Sequence, residues 1–555
     1  MQNRKRRGFL AGVGAAVTAV VFALGGTVAA NATPNIPSVP DPDTRGTLNI
    51  YKFEQPASLG TAGDGMPEDT TGLKPLGGVQ FTIKKVPGVD LSTNAGWQTA
   101  GTMTVDQAKA AVVSVTGISE TTGPGMGLAQ FTDLPIGLYY VEETVWPSGA
   151  TPSAPFLVTV PITNARPVIG TGSEATPEFP AGTTWLYQVN VYPKNAITGG
   201  QKTVSDASAV KLGDVVSWSI AADIPKADPI DAYRIVDALD SRLALITTAG
   251  ADAPKLSLTG STGVTLTEGT SDPTGDYYWT NTANGLQVDF TAAGLAKLVT
   301  AWKADATAQV EIDFKTTMLS LTDVANAGVI TNQATIFPNQ AAIDWEEGDP
   351  GKPPTTTEAT TKWGNIVLHK VDQENTNLAG AEFQVFLSEA DALAKTNPIA
   401  ITKKADGSAT DPAPKSIFVS DTNGLVLIDG LRYSNWADGV EQTPFNDASD
   451  TATCADKVAG GENCVANAKF RYYWVVETKA PSGYSLLADP VRVEVNSPAT
   501  DVSAATKIVN VEKNAGFELP LTGGTGTLLL TILGVGILGA VLVVARRRNA
   551  NADAE

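Results

Sequence analysis

Across 555 residues the chain sets 58 acidic side chains against 39 basic ones, a formal charge of −19. A surface this acidic argues against nucleic acid or anionic lipid as partner. One histidine, His369, excludes most His-based hydrolytic chemistry, and Thr, Val, Gly, Pro and Asp are abundant where long amphipathic periods are scarce, which predicts an all-β protein.

The N-terminus predicts export. Arg4, Lys5, Arg6 and Arg7 precede an apolar stretch over 9–30, and Ala30-Asn31-Ala32 offers small residues for cleavage, so 1–32 is expected to be a removable signal and Thr33 the mature start. After a Pro-rich lead, Gly46-Thr47-Leu48-Asn49-Ile50-Tyr51-Lys52-Phe53 alternates as a strand, which puts Lys52 on the inward face with Leu48 and Ile50. Further strands are expected over 76–83, 127–134 and 139–144, the last carrying Glu143 and followed by Pro147 and Gly149. Trp185-Leu186-Tyr187-Gln188-Val189-Asn190-Val191-Tyr192-Pro193-Lys194-Asn195 closes this module, 33–196. Alternation sets Val189, Val191 and Pro193 on one face and Asn190, Tyr192 and Lys194 on the other, so Lys194 is expected to be exposed while Asn195 points inward.

The middle segment, 197–345, is expected to be a further β-sandwich with one helix over 291–302 capped by Thr291. Residues 346–362, with Pro350, Pro353, Pro354 and a run of Thr, predict a semi-stiff linker. The phrases of the first module then return in 363–515 as an internal repeat. Gly364 to Lys370 answers the first strand, with Lys370 again inward and His369 toward solvent; 378–385, 423–431 and 473–484 answer the others. An insert over about 432–471 carries Cys454 and Cys464, which in an exported chain are expected to form one local disulfide; paired metal thiolates lack further Cys and His ligands. Leu519-Pro520-Leu521-Thr522-Gly523 precedes eighteen apolar residues, 528–545, long enough to cross a bilayer, and Arg546-Arg547-Arg548 behind them would stop transfer.

That C-terminal order, within 516–555, resembles the L-P-x-T-G sorting signal of Gram-positive surface proteins, which implies sortase cleavage between Thr522 and Gly523 and an acyl-enzyme on Thr522. The plainer alternative is an ordinary single-span anchor with a chance pentapeptide. Removal of both ends would leave 490 residues, enough for three domains, and take the formal charge to −24.

Tyr473-x-Val475-x-Glu477-Thr478-x-Ala480-Pro481-x-Gly483-Tyr484 resembles the E-box of sortase-assembled pilins. The resemblance implies tandem immunoglobulin-like sandwiches of the collagen-adhesin A/B type. It also implies an intramolecular isopeptide bond in which a strand lysine attacks an asparagine carboxamide, helped by an acid. Desolvation would favour that chemistry by keeping the amine neutral and the acid protonated. The implied trios are Lys370, Asn510 and Glu477 in the last module and Lys52, Asn195 and Glu143 in the first. The first copy departs from the motif with Trp146 in place of alanine and Ala150 in place of the closing tyrosine. In the middle, Lys202 and Asn332 would pair with Asp237, which alternation favours, or with Asp240. The bland alternative is a Lys–Glu ion pair at a sandwich rim. The stretch 185–195 is similar to the pilin motif W-x3-V-x-V-Y-P-K-N, which implies that Lys194 accepts the Thr522 acyl group of another subunit; an edge-strand lysine that blunts sheet pairing is the alternative.

Together these features resemble the major shaft subunit of a sortase-assembled pilus, close to actinobacterial type 1 and type 2 fimbrial subunits. The implied partners are pilin-specific and housekeeping sortases, identical subunits head to tail, peptidoglycan and a tip or minor pilin. No cofactor is implied, and neither a metal ion nor a host ligand can be named from the residues. A monomeric wall-anchored adhesin would share everything except use of Lys194. A wall-anchored enzyme would need a carboxylate-only site.

Overall fold

The computed structural model describes residues 39–57, 63–169, 178–179, 181–248, 250, 252–260, 263–283, 285–322, 328–446, 465–487, 489–500, 505–513 and 525–552. The signal 1–32, the sorting motif Leu519 to Gly523 and both cysteines, Cys454 and Cys464, lie outside the described residues. The chain is all-β, with immunoglobulin-like sandwiches, and divides into two compact units. One holds residues 1–208, 215–318 and 330–361; the other holds 209–214, 319–329 and 362–555.

In the first module, strand Arg45–Tyr51 is central to its sheet: it pairs parallel with Gln188–Val191 and antiparallel with Leu128–Pro135. The facing sheet runs Ile118–Thr121, Gln80–Lys85, Gly137–Val145, Phe156–Val160. Period-2 alternation drives Leu48, Ile50, Phe81, Ile83, Phe131 and Val141 into the shared core. Two short helices interrupt the strands, Asn94–Thr102 and Val105–Ala111, the second closed by a capping box of Thr104 and Gln107.

The repeat extends to its irregularities. Strand Ala359–Val371 pairs antiparallel with Leu425–Arg432 and parallel with Thr506–Val509, as Arg45–Tyr51 does with its neighbours. Register shifts fall at Gly46/Leu48 and at Gly364/Ile366, and again at Gln80/Phe81 and at Glu382/Phe383. After the second shift Phe81 faces Glu143 and Phe383 faces Glu477. A bulge in the same place in both copies aims the two carboxylates alike.

The middle module stacks a sheet ordered Gly200–Ser205, Val215–Asp223, Gln309–Met318, Leu243–Leu245 against one ordered Tyr277–Thr282, Gly285–Phe290, Arg234–Ala238, Ala334–Phe337. The helix spans Ala292–Ala304, and the Thr291 side chain accepts from the Gly294 amide. Two expectations need correction. Residues 346–362 are not a linker through their whole length: the Ile336 amide donates to the Pro354 carbonyl at 2.8 Å, the Thr356 amide to Ala334 at 2.9 Å, and Thr355 bridges Thr335. The Thr run adds to the module because β-branched residues suit a sheet edge better than a solvated tether. Second, 209–214 and 319–329 cluster with the C-terminal unit although they lie within 197–345.

The insert after Leu425–Arg432 is built from hairpins: Trp436–Ala437 pairs with Val440–Glu441, and Phe445–Asn446 with Val465–Ala466, which brackets the cysteine segment. The apolar C-terminal run lies in helix Thr525–Ala552, whose residues 531–544 are exposed. Among the described residues no helix is long and apolar enough to cross a membrane.

Candidate functional site: three buried lysine clusters and the pilin-motif lysine

Lys52 is placed by its backbone. Its amide donates to Gly127 and its carbonyl accepts from Leu76, and the same two bonds fix Lys370 to Gly424 and Leu378, at 2.7 and 2.9 Å in each copy. Gly127 and Gly424 have φ of +64° and +70°, and a Cβ on either would fall 2.2 or 2.3 Å from the lysine carbonyl oxygen. Only glycine fits there on both counts.

Each lysine side chain is fully buried, Lys52 and Lys370 at 0 % exposure and Lys202 at 3 %. In the first module Lys52 Nζ donates to Glu143 Oε1 and, at 3.2 Å, to Ser153 Oγ; Asn195 Nδ2 donates to Glu143 Oε2 at 2.9 Å. Ser153 also donates to Glu143 Oε1 through its hydroxyl and, at 3.2 Å, its amide. In the last module Lys370 Nζ donates to Asn510 Oδ1 and stands 3.3 Å from Glu477 Oε1. Asn510 Nδ2 donates to both Glu477 oxygens at 2.9 and 3.1 Å, and the Leu487 amide adds a bond to Oε2 at 2.7 Å.

In the middle module Lys202 Nζ donates to Asp237 Oδ2, between the rings of Trp218 and Phe314 at 5.4 and 5.2 Å. Asn332 is 2 % exposed and its amide acts on the Asp237 carboxyl, although neither amide atom makes a hydrogen bond of ordinary geometry. Asp240 lies elsewhere, ion-paired with Arg242 at 2.7 Å; bonds from that guanidinium hold its carboxyl below the usual range. Asp237 shows the opposite behaviour, pushed up by burial.

Burial pulls Lys52 and Lys202 down to about 8, against the opposing attraction of Glu143 and Asp237. Lys370 is lowered for the same reason, against Glu477. Amines so displaced are available as nucleophiles near neutral pH. Lys52 lies between Arg45–Tyr51 and Phe53–Glu54 and Asn195 in Lys194–Ile197; Lys370 lies in Ala359–Val371 and Asn510 directly after Thr506–Val509; Lys202 lies in Gly200–Ser205 and Asn332 ends Val329–Asn332. Among the described residues no group of three or more His, Cys, Asp or Glu could hold a metal ion. His369 is half-buried, its Nε2 2.8 Å from Asn377 Oδ1.

Lys194 starts the strand Lys194–Ile197, opposite Phe53, and its side chain is half-buried, not fully exposed. The face that carries Asn190, Tyr192 and Lys194 is partly covered and not fully open to solvent. Asn190 is buried, its Oδ1 accepting from Asn49 at 3.0 Å, and Tyr192 stacks on Tyr51 at 5.3 Å, its hydroxyl accepting from the Glu68 amide. The strand Gln188–Val191 is flanked on both faces, so its polar side chains find partners and not water. Farther up, Trp185 stacks on Trp97 at 5.0 Å.

The departure of the first E-box has a local cause. Trp146 lies against Gly351, where a Cβ would come within 1.9 Å of the indole nitrogen, and Ser148 Oγ donates to the Lys352 carbonyl at 2.8 Å. Trp146 therefore packs against the segment around Gly351. Nothing in the sequence singles out Ser153: it lies ten residues beyond Glu143 in no motif, and only its contacts reveal it.

Comparisons agree with this architecture. Residues 43–196 match the family described as Gram-positive pilin subunit D1, N-terminal domain, and 511–551 the LPXTG cell wall anchor motif. The chain is 31 % identical over 582 aligned residues to the fimbrial subunit type 1 of Actinomyces viscosus, covering 99 % of this chain and 98 % of that one. It is 30 % identical to the fimbrial subunit type 2 of Actinomyces naeslundii, covering 92 % and 91 %. The full-length major pilin SpaD of Corynebacterium diphtheriae superposes with a TM-score of 0.56 at 26 % identity over 85 % of this chain and 98 % of that structure. The major pilin SpaA of the same organism shares the fold, with a TM-score of 0.53 at 23 % identity over 84 % and 100 %.

Sandwich modules of the pilin type joined to a wall-anchor signature define a structural protein, not an enzyme. The chain belongs to the family of Gram-positive fimbrial subunits, as a major pilin of a sortase-polymerised pilus anchored to the cell wall.

Proposed function

We propose that the subunit forms its fibre through two kinds of lysine amide. Within each module the lysine Nζ attacks the asparagine Cγ: an Nζ–Cγ bond forms, the Cγ–Nδ2 bond breaks, and ammonia leaves with Nδ2. Glu143, Asp237 and Glu477 relay the protons from the amine to the departing nitrogen. The observation that carries this reading is the burial of Lys52, Lys202 and Lys370 beside an acid and an asparagine. A buried ion pair is weak evidence of stability by itself; an amide removes both the charge and the desolvation cost.

Between subunits, a sortase cysteine replaces Gly523 on the Thr522 carbonyl, and Lys194 of the next subunit displaces the thiol. A pilin-specific sortase extends the shaft beneath any tip or minor pilin, and a housekeeping sortase transfers the last subunit to peptidoglycan. The ring stacking of Tyr192 on Tyr51 supports the role of Lys194, because it fixes the strand two residues away. A head-to-tail contact of this kind does not close on itself, so it propagates as a filament.

Tryptic mapping of assembled fibres tests the reading. A branched peptide joining Lys194 to Thr522 is the expected product, and Lys194 recovered unmodified from high-mass polymer would refute it.

A further inference from the structure

The first and last modules bring the same three residue types together but engage them differently. In the last module the amine already addresses the amide, Lys370 Nζ donating to Asn510 Oδ1. In the first, Lys52 Nζ is engaged by Glu143 and Ser153, while Asn195 Oδ1, buried, has no hydrogen-bond partner. Oε1 of Glu143 collects three donors: Lys52 Nζ, the Ser153 hydroxyl and the Ser153 amide. Glu477 receives its backbone bond, from Leu487, on the oxygen away from the lysine, and among the described residues no hydroxyl touches it.

We infer that Ser153 is a positioning residue that holds Lys52 on the Glu143 carboxylate and away from the Asn195 amide, so that the first module's isopeptide closes later than the last module's. The inference rests on the isopeptide reading above. To react, Lys52 must give its proton to the carboxylate and swing its nitrogen onto Asn195 Cγ. Each bond that Ser153 makes to the ion pair is lost or weakened in that step. Hydrogen bonds to charged groups contribute enough that removing one is expected to change the rate by at least about tenfold. The Cγ–Nδ2 bond still breaks with loss of ammonia, and Ser153 is unchanged at the end.

The test uses the full chain made by cell-free synthesis, quenched in acid at intervals and digested, with the Lys52–Asn195 and Lys370–Asn510 cross-linked peptides quantified separately. In the wild type the Lys52–Asn195 peptide is expected to lag. Ser153→Ala is expected to shorten that lag at least about tenfold, while Ser153→Thr, which keeps the hydroxyl, retains it, and Lys370–Asn510 closes at one rate in all three. A simple packing defect would slow closure in Ser153→Ala and not hasten it. No lag in the wild type, an unchanged or longer lag in Ser153→Ala, or Lys370–Asn510 forming without Lys52–Asn195 in both the wild type and Ser153→Ala would overturn the inference. Absence of both cross-links would instead overturn the isopeptide reading.

Discussion

Asp237 and Asp240 are three residues apart and have opposite environments. Asp237 is sealed against Lys202, and Asp240 is half-buried and neutralised by the buried Arg242. Alternation along Arg234–Ala238 makes that difference legible in sequence, because Ile235 and Asp237 must share a face. Ser153 is not legible in this way: it lies in irregular chain just after the strand Ala150–Thr151, and no period links it to Glu143. Two predictions belong to single residues. Glu477→Ala should leave the last module about 17 Da heavier than a bonded one after allowing for the substitution, and should cost about 3–5 kcal/mol in denaturant unfolding, since it strands a buried lysine. Asn332→Ala leaves Lys202 a titratable amine whose folded value, about 8, lies below the unfolded 10.5. Between those values the unfolded chain binds more protons, so stability must rise with pH from about 8 to 10.5, by up to about 3 kcal/mol, and the deficit is complete below pH 8. Urea midpoints measured across that window should climb for Asn332→Ala and show less slope in the bonded wild type.

At the level of elements, the strands that carry the lysines announce themselves through alternation and through the glycine that follows in each copy. Gly127 and Gly424 are where the chain passes over the lysine carbonyl. Gly380 also has positive φ, +82°, but open space around its missing Cβ. Gly424→Ala should therefore destabilise the last module by more than Gly380→Ala, whose cost is the backbone term of about 1 kcal/mol; equal losses by thermal unfolding would count against the contact. The 346–362 segment is less legible. Its prolines suggest a tether, while its threonines complete an edge whose partner, Ala334–Phe337, is known only once the fold is seen. Trp146 is similar: its sequence signal is only a departure from a motif, and its reason, Gly351, is 205 positions away. Trp146→Ala should cost about 2 kcal/mol through lost apolar contact and lower the melting transition of the unit that holds both partners.

For the whole molecule, the proposed amides within modules and between subunits would answer one mechanical demand. Folded domains are held by about 5–15 kcal/mol, and a fibre under tension loads every module at once, so strands joined by the proposed amides would carry force that hydrogen-bonded ladders would not sustain. Lys194→Ala should abolish the high-mass ladder in cells while leaving a wall-linked monomer, and an undiminished ladder would favour the unpolymerised adhesin. The most direct measurement is the intact mass of the folded chain from Thr33 to Thr522 under reducing conditions. Three closed modules predict a deficit of about 51 Da against the sequence, one ammonia per trio, disappearing in steps of about 17 Da in Glu143→Ala, Asp237→Ala and Glu477→Ala once each substitution is allowed for. A folded protein that weighs what its sequence dictates would contradict the account.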